Sequence, residues 1–203
     1  MKKFIISIAA VVLCICSLFG LVACGGNQGS TDNTPEAPVT GDANILVAYF
    51  SWSGNTQQIA RWIAEKTEGE IFRIVPEVPY TNNDVFDRAQ DELYSGTRPS
   101  LAAHIDEEIM AEYDVIFVGF PIWWYDLPMP VWTFLEEYDL SGKTIVPFFT
   151  HNGSSSGASS ISTVVELCPD STVIRDYFTY SGNRVESAES EVEQWLSELG
   201  YTA

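Results

Sequence analysis

Histidine is almost missing from the 203-residue chain, which contains only His104 and His151. A cluster of histidine ligands therefore cannot be built, and we predict no metal site. His151 lies in a segment rich in glycine and serine, where a hydrogen-bonded loop histidine is the ordinary interpretation and a proton donor is the alternative. The sequence assigns no catalytic residue.

Cysteine is also scarce outside the N-terminal segment. Of the four cysteines, Cys14 and Cys16 lie within an apolar N-terminal segment and Cys24 ends that segment. Cys168 alone is left for the rest of the chain, so an intrachain disulfide is excluded there. Because Cys168 ends an apolar helical pattern, we interpret it as a small buried hydrophobic residue rather than a nucleophile.

Basic residues are few. The chain has 10 Lys and Arg against 28 Asp and Glu, a formal net charge of -18. Such a field repels phosphate backbones and anionic lipid surfaces, which excludes a nucleic-acid partner. The same field would attract a positively charged partner, although solubility alone also explains it. With 46% hydrophobic and 19% charged residues, the composition is otherwise that of a globular protein.

One long uncharged run stands at the N-terminus. Residues 4–22 follow Lys2 and Lys3 and have the layout of a secretory signal. Residues 21–24, Leu-Val-Ala-Cys, resemble the lipobox of bacterial lipoproteins. This resemblance implies cleavage before Cys24, a diacylglycerol on its thiol and an extracytoplasmic location on the cell membrane. The alternative is a signal-anchor helix that stays uncut.

The composition changes again after the lipobox. Residues 25–43 are rich in Gly, Ser, Thr, Asn and Pro and predict a flexible tether. Residues 44–203 predict one globular domain. The chain therefore divides into a lipoprotein signal over 1–24, a tether over 25–43 and a domain over 44–203.

Within the domain, short apolar runs alternate with helical patterns. The runs predict five strands, at residues 45–50, 70–75, 115–119, 144–150 and 172–177. Helical spacing occupies residues 56–67, the segment after Pro128, and residues 158–167 and 187–199. Strands separated by crossovers predict an α/β domain with a parallel sheet and helices on both faces. Such sheets bind ligands beyond the carboxyl ends of their strands, so the loops after the first, third and fourth strands are the candidate site.

The loop after the first strand is SWSGNT, residues 51–56. Its hydroxyl groups and the turn allowed by Gly54 precede a helix that begins near Thr56, whose free amides and positive dipole end face the same spot. This arrangement predicts an anion site suited to a phosphate. The nearest basic residue is Arg61, so a monophosphate fits better than a triphosphate. The alternative is an ordinary capped turn.

The loop after the third strand, FPIWWYDLPMP, contains Trp123, Trp124 and Tyr125 in succession. Consecutive side chains of extended backbone point in opposite directions, so at least one of these rings should lie at the surface or on a ligand. A flat aromatic ligand would stack there, and a lid over the sheet edge is the alternative.

The loop after the fourth strand, THNGSSSGASS, places His151 and Asn152 at the strand exit. Its glycines and serines let backbone amides approach the edge of a ligand.

Taken together, these loops resemble those of flavodoxins. SWSGNT is similar to the flavodoxin phosphate loop, and the segments PIWWYDLPMP and THNG are similar to those of flavodoxin-like bacterial proteins. The resemblance covers residues 44–200 and implies a five-stranded doubly wound sheet of order 2-1-3-4-5. It also implies FMN as cofactor. Because residues 172–177 read as one unbroken strand, the short-chain type of flavodoxin is the better comparison.

The resemblance also implies which residues hold FMN. The phosphate loop would bind its phosphate, the second loop would flank the isoalloxazine, and the third would line the other edge of the ring. The residues so predicted are Ser51, Trp52, Ser53, Gly54, Asn55, Thr56, Pro121, Ile122, Trp123, Trp124, Thr150, His151, Asn152 and Gly153. Tyr80, Arg88 and Arg98 in the long second crossover receive no role.

Two functions remain open on the sequence. An exported, lipid-anchored FMN flavoprotein could carry electrons to a redox partner protein, or it could be an enzyme that reduces quinones or nitro compounds with a reduced nicotinamide. A phosphorylation receiver would need aspartates at its strand ends, and Ser51 and Gly119 stand there instead. A serine hydrolase is poorly supported, because the first turn lacks G-x-S-x-G.

Overall fold

The structure is a computed structural model that describes residues 43–153 and 157–201. The predicted signal segment, the lipidation site Cys24 and the tether up to residue 42 lie outside the described residues. Among the helices of the described ranges, none has the length and apolar character needed to cross a bilayer.

Strands and helices alternate along the described chain. The strands are β1 (Ile45–Tyr49), β2 (Glu70–Arg73), β3 (Val115–Pro121), β4 (Thr144–His151), β5 (Thr172–Val173) and β6 (Phe178–Ser181). The helices are α1 (Asn55–Thr67), α2 (Val85–Ser95), α3 (Glu107–Glu112), α4 (Met129–Glu137), α5 (Ala158–Leu167) and α6 (Glu189–Glu198), and a 3-10 helix covers Gly182–Ser187. The four helical patterns of the sequence correspond to α1, α4, α5 and α6.

The strands form one parallel sheet in the order β2-β1-β3-β4-β5, and β6 also pairs with β4. This order confirms the predicted doubly wound fold. Strand order reverses between β1 and β3, which is where such sheets open a crevice for ligands.

Both faces of the sheet are buried. Along β1, Leu46 and Ala48 belong to a hydrophobic cluster on one face, whereas Val47 and Tyr49 belong to a cluster on the other. The first cluster packs against α4 and α5, and the second against α1 and α6. Because side chains alternate across a strand, a strand covered on both faces must be apolar throughout, which explains the unbroken run ILVAY.

The prediction of one unbroken fifth strand over residues 172–177 is wrong. β5 ends at Val173, and pairing with β4 resumes only at Phe178 in β6. Ile145 and Phe148 of β4 face Val173 and Phe178, so the outer strand spans the interval with two residues more than β4. The interruption therefore has the form of a bulge.

Pro147 supplies the physical reason. The carbonyl oxygens of Lys143 and Ile145 accept bonds from Thr172 and Ile174, so alternate residues of β4, Pro147 included, face β5. Proline has no amide hydrogen, and the ladder loses a donor where the outer strand bulges away. The described residues therefore lack the unbroken fifth strand from which the short-chain type was inferred.

The register of the sheet brings the three candidate loops together. Tyr49 pairs with Gly119, and Pro121 pairs with Thr150. The backbone amide of Phe50 bonds to the carbonyl oxygen of Gly119 at 2.9 Å. The loops after β1, β3 and β4 therefore leave the sheet at one edge, side by side.

Candidate functional site

A cavity of about 550 Å³ opens at this edge of the sheet. Its wall contains most of the residues predicted from the sequence, drawn from all three loops. These are Trp52, Ser53, Asn55, Pro121, Ile122, Trp123, Trp124, Thr150, His151 and Asn152. Ser51, Gly54, Thr56 and Gly153 lie outside the wall, although each belongs to one of the loops that form it.

Two buried hydroxyl groups, those of Ser51 and Thr56, hold the phosphate loop, residues 51–56, in its conformation. The Ser51 hydroxyl oxygen accepts a hydrogen bond from the Gly54 amide at 3.2 Å, which closes the turn. The Thr56 hydroxyl is buried and shares a 2.9 Å hydrogen bond with the hydroxyl of Thr150. These two residues therefore shape the loop and join it to β4, and Ser53 and Asn55 reach the cavity.

The first turn of α1 supplies amide donors at the same place. Gly54 is the N-cap residue, with φ 93°, and no side chain caps the helix. The first bond of the helical ladder runs from the Gln58 amide to the Gly54 carbonyl oxygen, so the amides of residues 55–57 precede the ladder. Uncapped amides at a positive dipole end form a neutral cradle for an anion.

The loop after β3 makes a tight turn with two aromatic residues at its tip. Trp123 and Asp126 exchange backbone hydrogen bonds at 2.9 Å in both directions. Between them, Trp124 and Tyr125 have φ of 50° and 70°, the left-handed geometry of a type I′ turn that normally selects Asn-Gly. Such backbone costs about 1 kcal/mol or more per residue, and it clusters at binding sites.

The two tip residues are turned toward solvent at the cavity mouth. The Trp124 side chain is 38% exposed and Tyr125 is 66% exposed. The indole nitrogen of Trp124 donates a hydrogen bond to the carbonyl oxygen of Phe86, at 3.2 Å, and thereby ties the loop to α2. The expectation that at least one ring of this loop lies at the surface is confirmed.

Trp123, by contrast, is fixed by other rings. Its ring meets those of Phe50, Trp52 and Tyr80 nearly at right angles, with centroids 5.2, 6.4 and 5.1 Å apart. Edge-to-face packing of this kind is favourable beyond the apolar area that it buries. The wall of the cavity is therefore rigid at Trp123.

Tyr80 is held in turn by a partly buried ion pair between Arg88 and Glu92. Its hydroxyl donates to Glu92, which also accepts a 2.7 Å bond from the Nε of Arg88. The Arg88 guanidinium lies 4.2 Å from the centroid of the Tyr80 ring. Burial and then the hydrogen bond to Glu92 raise the pKa of Tyr80 well above its ordinary value. Tyr80 thus packs against Trp123, and Arg88 holds Tyr80 in place.

Arg98, the third residue without a role on the sequence, lies elsewhere. It forms an ion pair with Glu136 and stacks 4.5 Å from the Trp132 ring. It is absent from the cavity wall.

A hydrogen bond to His151 fixes the chain where it leaves β4. The Nδ1 of His151 accepts a 2.8 Å hydrogen bond from the Gly153 amide, which leaves the proton of the neutral ring on Nε2. Gly153 has φ 95°, a conformation that favours glycine. This is the hydrogen-bonded loop histidine that the sequence favoured.

Two further elements complete the cavity, and the sequence did not reveal them. α2 contributes Val85, Phe86 and Ala89, and the 3-10 helix after β6 contributes Gly182 and Asn183. A Cβ on Gly182 would lie 2.5 Å from Nδ2 of Asn55 and 3.4 Å from Oδ1 of Asn152. Gly182 therefore lets the loops after β1 and β4 approach each other. Its only sequence signal is a glycine directly after a strand.

The wall carries almost no charge. Among its described residues there is no Asp, Glu, Lys or Arg side chain. The wall combines the uncapped amides at the start of α1, with Ser53 and Asn55, and the rings of Trp52, Trp123 and Trp124. A phosphate suits the amides and a planar aromatic ring suits the tryptophans, so the residues present fit FMN.

Known proteins point the same way. A family model described as flavodoxin matches residues 44–199. A flavoprotein structure from Bacteroides eggerthii is 32% identical, with a TM-score of 0.65, and the match covers 78% of this chain and 98% of that one. One from Bacteroides uniformis is 33% identical, with a TM-score of 0.66, covering 76% of this chain and 98% of that one.

A third structure contains the cofactor. It is a flavoprotein in complex with FMN from Lactobacillus acidophilus, 25% identical, with a TM-score of 0.57, and the match covers 75% of this chain and 98% of that one. No curated protein matches the chain.

Proposed function

This chain belongs to the flavodoxin family and binds FMN, and from this premise we propose that it transfers electrons while a lipid on Cys24 anchors it at the outer face of the cytoplasmic membrane. When bound, FMN supplies reversible one- and two-electron chemistry. The chain's own residues bind and orient the cofactor, and they determine what can approach it.

The residues predicted from the sequence would bind FMN. The amides at the start of α1, with Ser53 and Asn55, would hold the phosphate. The rings of Trp123 and Trp124 would flank the isoalloxazine, and the segment from Thr150 to Gly153 would line its other edge. The contacts of Tyr80 with Trp123 and the bond between Trp124 and Phe86 keep these walls in place.

The single observation that carries the proposal is the exposed aromatic tip of the loop after β3. Trp124 and Tyr125 hold unfavourable backbone conformations at the cavity mouth, where Phe86, 69% exposed, stands beside them. Three exposed rings at one opening support a surface on which an electron acceptor docks.

The net charge of -18 supports a basic protein as that acceptor. To test this, we would reduce the purified protein under anaerobic conditions and follow electron delivery to a basic c-type cytochrome used as probe. We expect a rate that falls steeply as ionic strength rises. A rate independent of salt would contradict electrostatic docking.

The cavity also favours a second candidate, an FMN-dependent reductase of quinones or nitro compounds. α2 adds the apolar residues Val85, Phe86 and Ala89 to the wall, which extends the cavity beyond the three loops. Such an apolar wall suits a flat organic substrate. Steady-state oxidation of reduced nicotinamide by the FMN-loaded protein, stimulated by a quinone, would establish the reductase, and its absence would leave the electron carrier.

Export and anchoring are tested separately. In a bacterial host that processes lipoproteins, we expect the chain in the membrane fraction, released by detergent but not by salt. A Cys24→Ala variant should lose the acyl modification, seen as a mass difference in the N-terminal peptide. An unmodified wild-type peptide would contradict the lipid anchor.

A further inference from the structure

Arg73 contacts the phosphate loop from outside the cavity. It ends β2, and its Nη2 atom donates a 3.2 Å hydrogen bond to the carbonyl oxygen of Ser51. Within the part of the chain that the structure describes, no carboxylate lies within ion-pair distance of Arg73. In a chain of net charge -18, an arginine that bonds a loop carbonyl rather than a carboxylate needs a reason.

The location of the guanidinium excludes direct contact between Arg73 and a ligand in the larger cavity. Arg73 lines a separate cavity of about 210 Å³ beside the phosphate loop. It is absent from the wall of the larger cavity, whereas Trp52 lines both. Arg73 therefore acts on a ligand in the larger cavity through its contact with the backbone of the loop rather than by lining the wall.

The backbone offers one direct route. The described chain contains no cis peptide bond, so the carbonyl of Ser51 and the amide of Trp52 point in opposite directions from one planar peptide unit. A donor that holds the carbonyl oxygen on one side therefore fixes the direction of the Trp52 N–H on the other. That amide has no acceptor among the described residues. A positive charge on the oxygen also polarises the peptide unit and makes its N–H a stronger donor.

We propose that Arg73 is a positioning residue for the phosphate loop: by holding the Ser51 carbonyl, it aims and strengthens the Trp52 amide as a donor to the phosphate of FMN. The loop itself carries no basic residue, and Arg73 supplies positive charge one peptide unit away from the cradle. The inference rests on FMN as cofactor and is independent of whether the protein carries electrons or reduces small molecules.

The test compares FMN with riboflavin, which lacks the phosphate. Apoprotein of the full chain, in detergent, is titrated with each flavin and binding is followed by quenching of flavin fluorescence. The variants are Arg73→Gln, which removes the charge and the paired donors, and Arg73→Lys, which keeps the charge alone. Arg61→Gln is the matched control, since Arg61 is an exposed arginine on α1 for which the structure gives no bond to the loop.

We expect R73Q to weaken FMN about tenfold, the effect of one charge-assisted hydrogen bond in a partly exposed place. R73K should fall between R73Q and the wild type. Riboflavin affinity should stay within about twofold of wild type in every variant, because the contact acts on the phosphate end. Amide spectra of ¹⁵N-labelled protein should show the Trp52 resonance moving with FMN in wild type and less in R73Q.

Three outcomes would overturn the inference alone. If R73Q binds FMN as the wild type does, the Ser51 contact has no role in binding. If R73Q weakens FMN and riboflavin equally, or R61Q weakens FMN as much as R73Q, Arg73 acts through general stability or net charge. Wild-type protein that binds neither flavin would instead contradict the cofactor assignment, and the inference with it.

Discussion

Replacing Gly182 with alanine would push a methyl group into the phosphate loop. The new Cβ would lie 2.5 Å from Nδ2 of Asn55, whereas ordinary contacts begin at 3.4 Å, so the amide of Asn55 must withdraw by about 0.9 Å. Binding sites tolerate displacements of about 0.5 Å before their geometry is lost. We therefore expect G182A to weaken FMN about tenfold, equivalent to about 1.4 kcal/mol.

The effect on folding should be small, because two contributions oppose each other. Forcing Asn55 off its rotamer costs about 0.5–1.5 kcal/mol. Replacing a glycine in ordinary backbone reduces the entropy of the unfolded chain and stabilises by about 0.4–1 kcal/mol. The melting temperature of the apoprotein should therefore change little, and the affinity for FMN is the informative measurement.

A double-mutant cycle isolates the clash. Asn55→Ala removes the atom that the new methyl group would meet, and should itself weaken FMN because Asn55 lines the cavity. Added to N55A, the Gly182→Ala change should alter FMN affinity by less than about twofold. Titration of the four proteins with FMN gives the result directly. An equal penalty for G182A in both backgrounds would refute the argument that Gly182 acts by making room for Asn55.

Three further predictions concern stability. Replacing Trp124-Tyr125 by Asn-Gly, which suits a type I′ turn, should raise the free energy of unfolding of the apoprotein by about 1–2 kcal/mol in urea while weakening FMN, and a less stable variant would contradict the strained turn. Arg88→Met leaves its buried carboxylate partner unneutralised and should lower that free energy by about 2–3 kcal/mol, whereas an unchanged urea midpoint would mean that the pair contributes nothing. The hydrogen bond that the His104 ring donates to the Glu137 carboxylate raises the pKa of His104 above 6.5, so this contact stabilises below pH 6.5 and is lost as pH rises through the folded pKa. H104Q should therefore lower the melting temperature near pH 5.5 and leave it unchanged near pH 9, and equal losses at both would be inconsistent with the shift.

The sequence was sufficient to predict the sheet and the meeting of its loops. A short unbroken apolar run such as ILVAY, in a chain where strands alternate with helices, indicates a parallel strand that is buried on both faces. Parallel strands end at a common edge, so SWSGNT and the loops after β3 and β4 had to lie together. The hydroxyl and aromatic residues of those loops indicated the kind of ligand.

Other parts depended on tertiary contacts that no local pattern records. The break in the outer strand comes from Pro147 on its neighbour, so the cause lies far from the effect in sequence. α2 joins the cavity through the bond from Trp124 to Phe86, and the sequence of α2 shows only an ordinary helix. The turn at Trp124 and Tyr125 adopts a conformation that its residue types disfavour, so the turn propensities of these residues did not predict it.

Titration of the full-length apoprotein with FMN and with riboflavin, followed by visible absorption and flavin fluorescence, tests the central claim most directly. The amide cradle at the start of α1 predicts a bound-flavin spectrum with FMN at one equivalent and much weaker binding of riboflavin. Equal affinity for the two flavins, or no binding of either, would contradict the claim that SWSGNT is a phosphate cradle and that this cavity holds FMN.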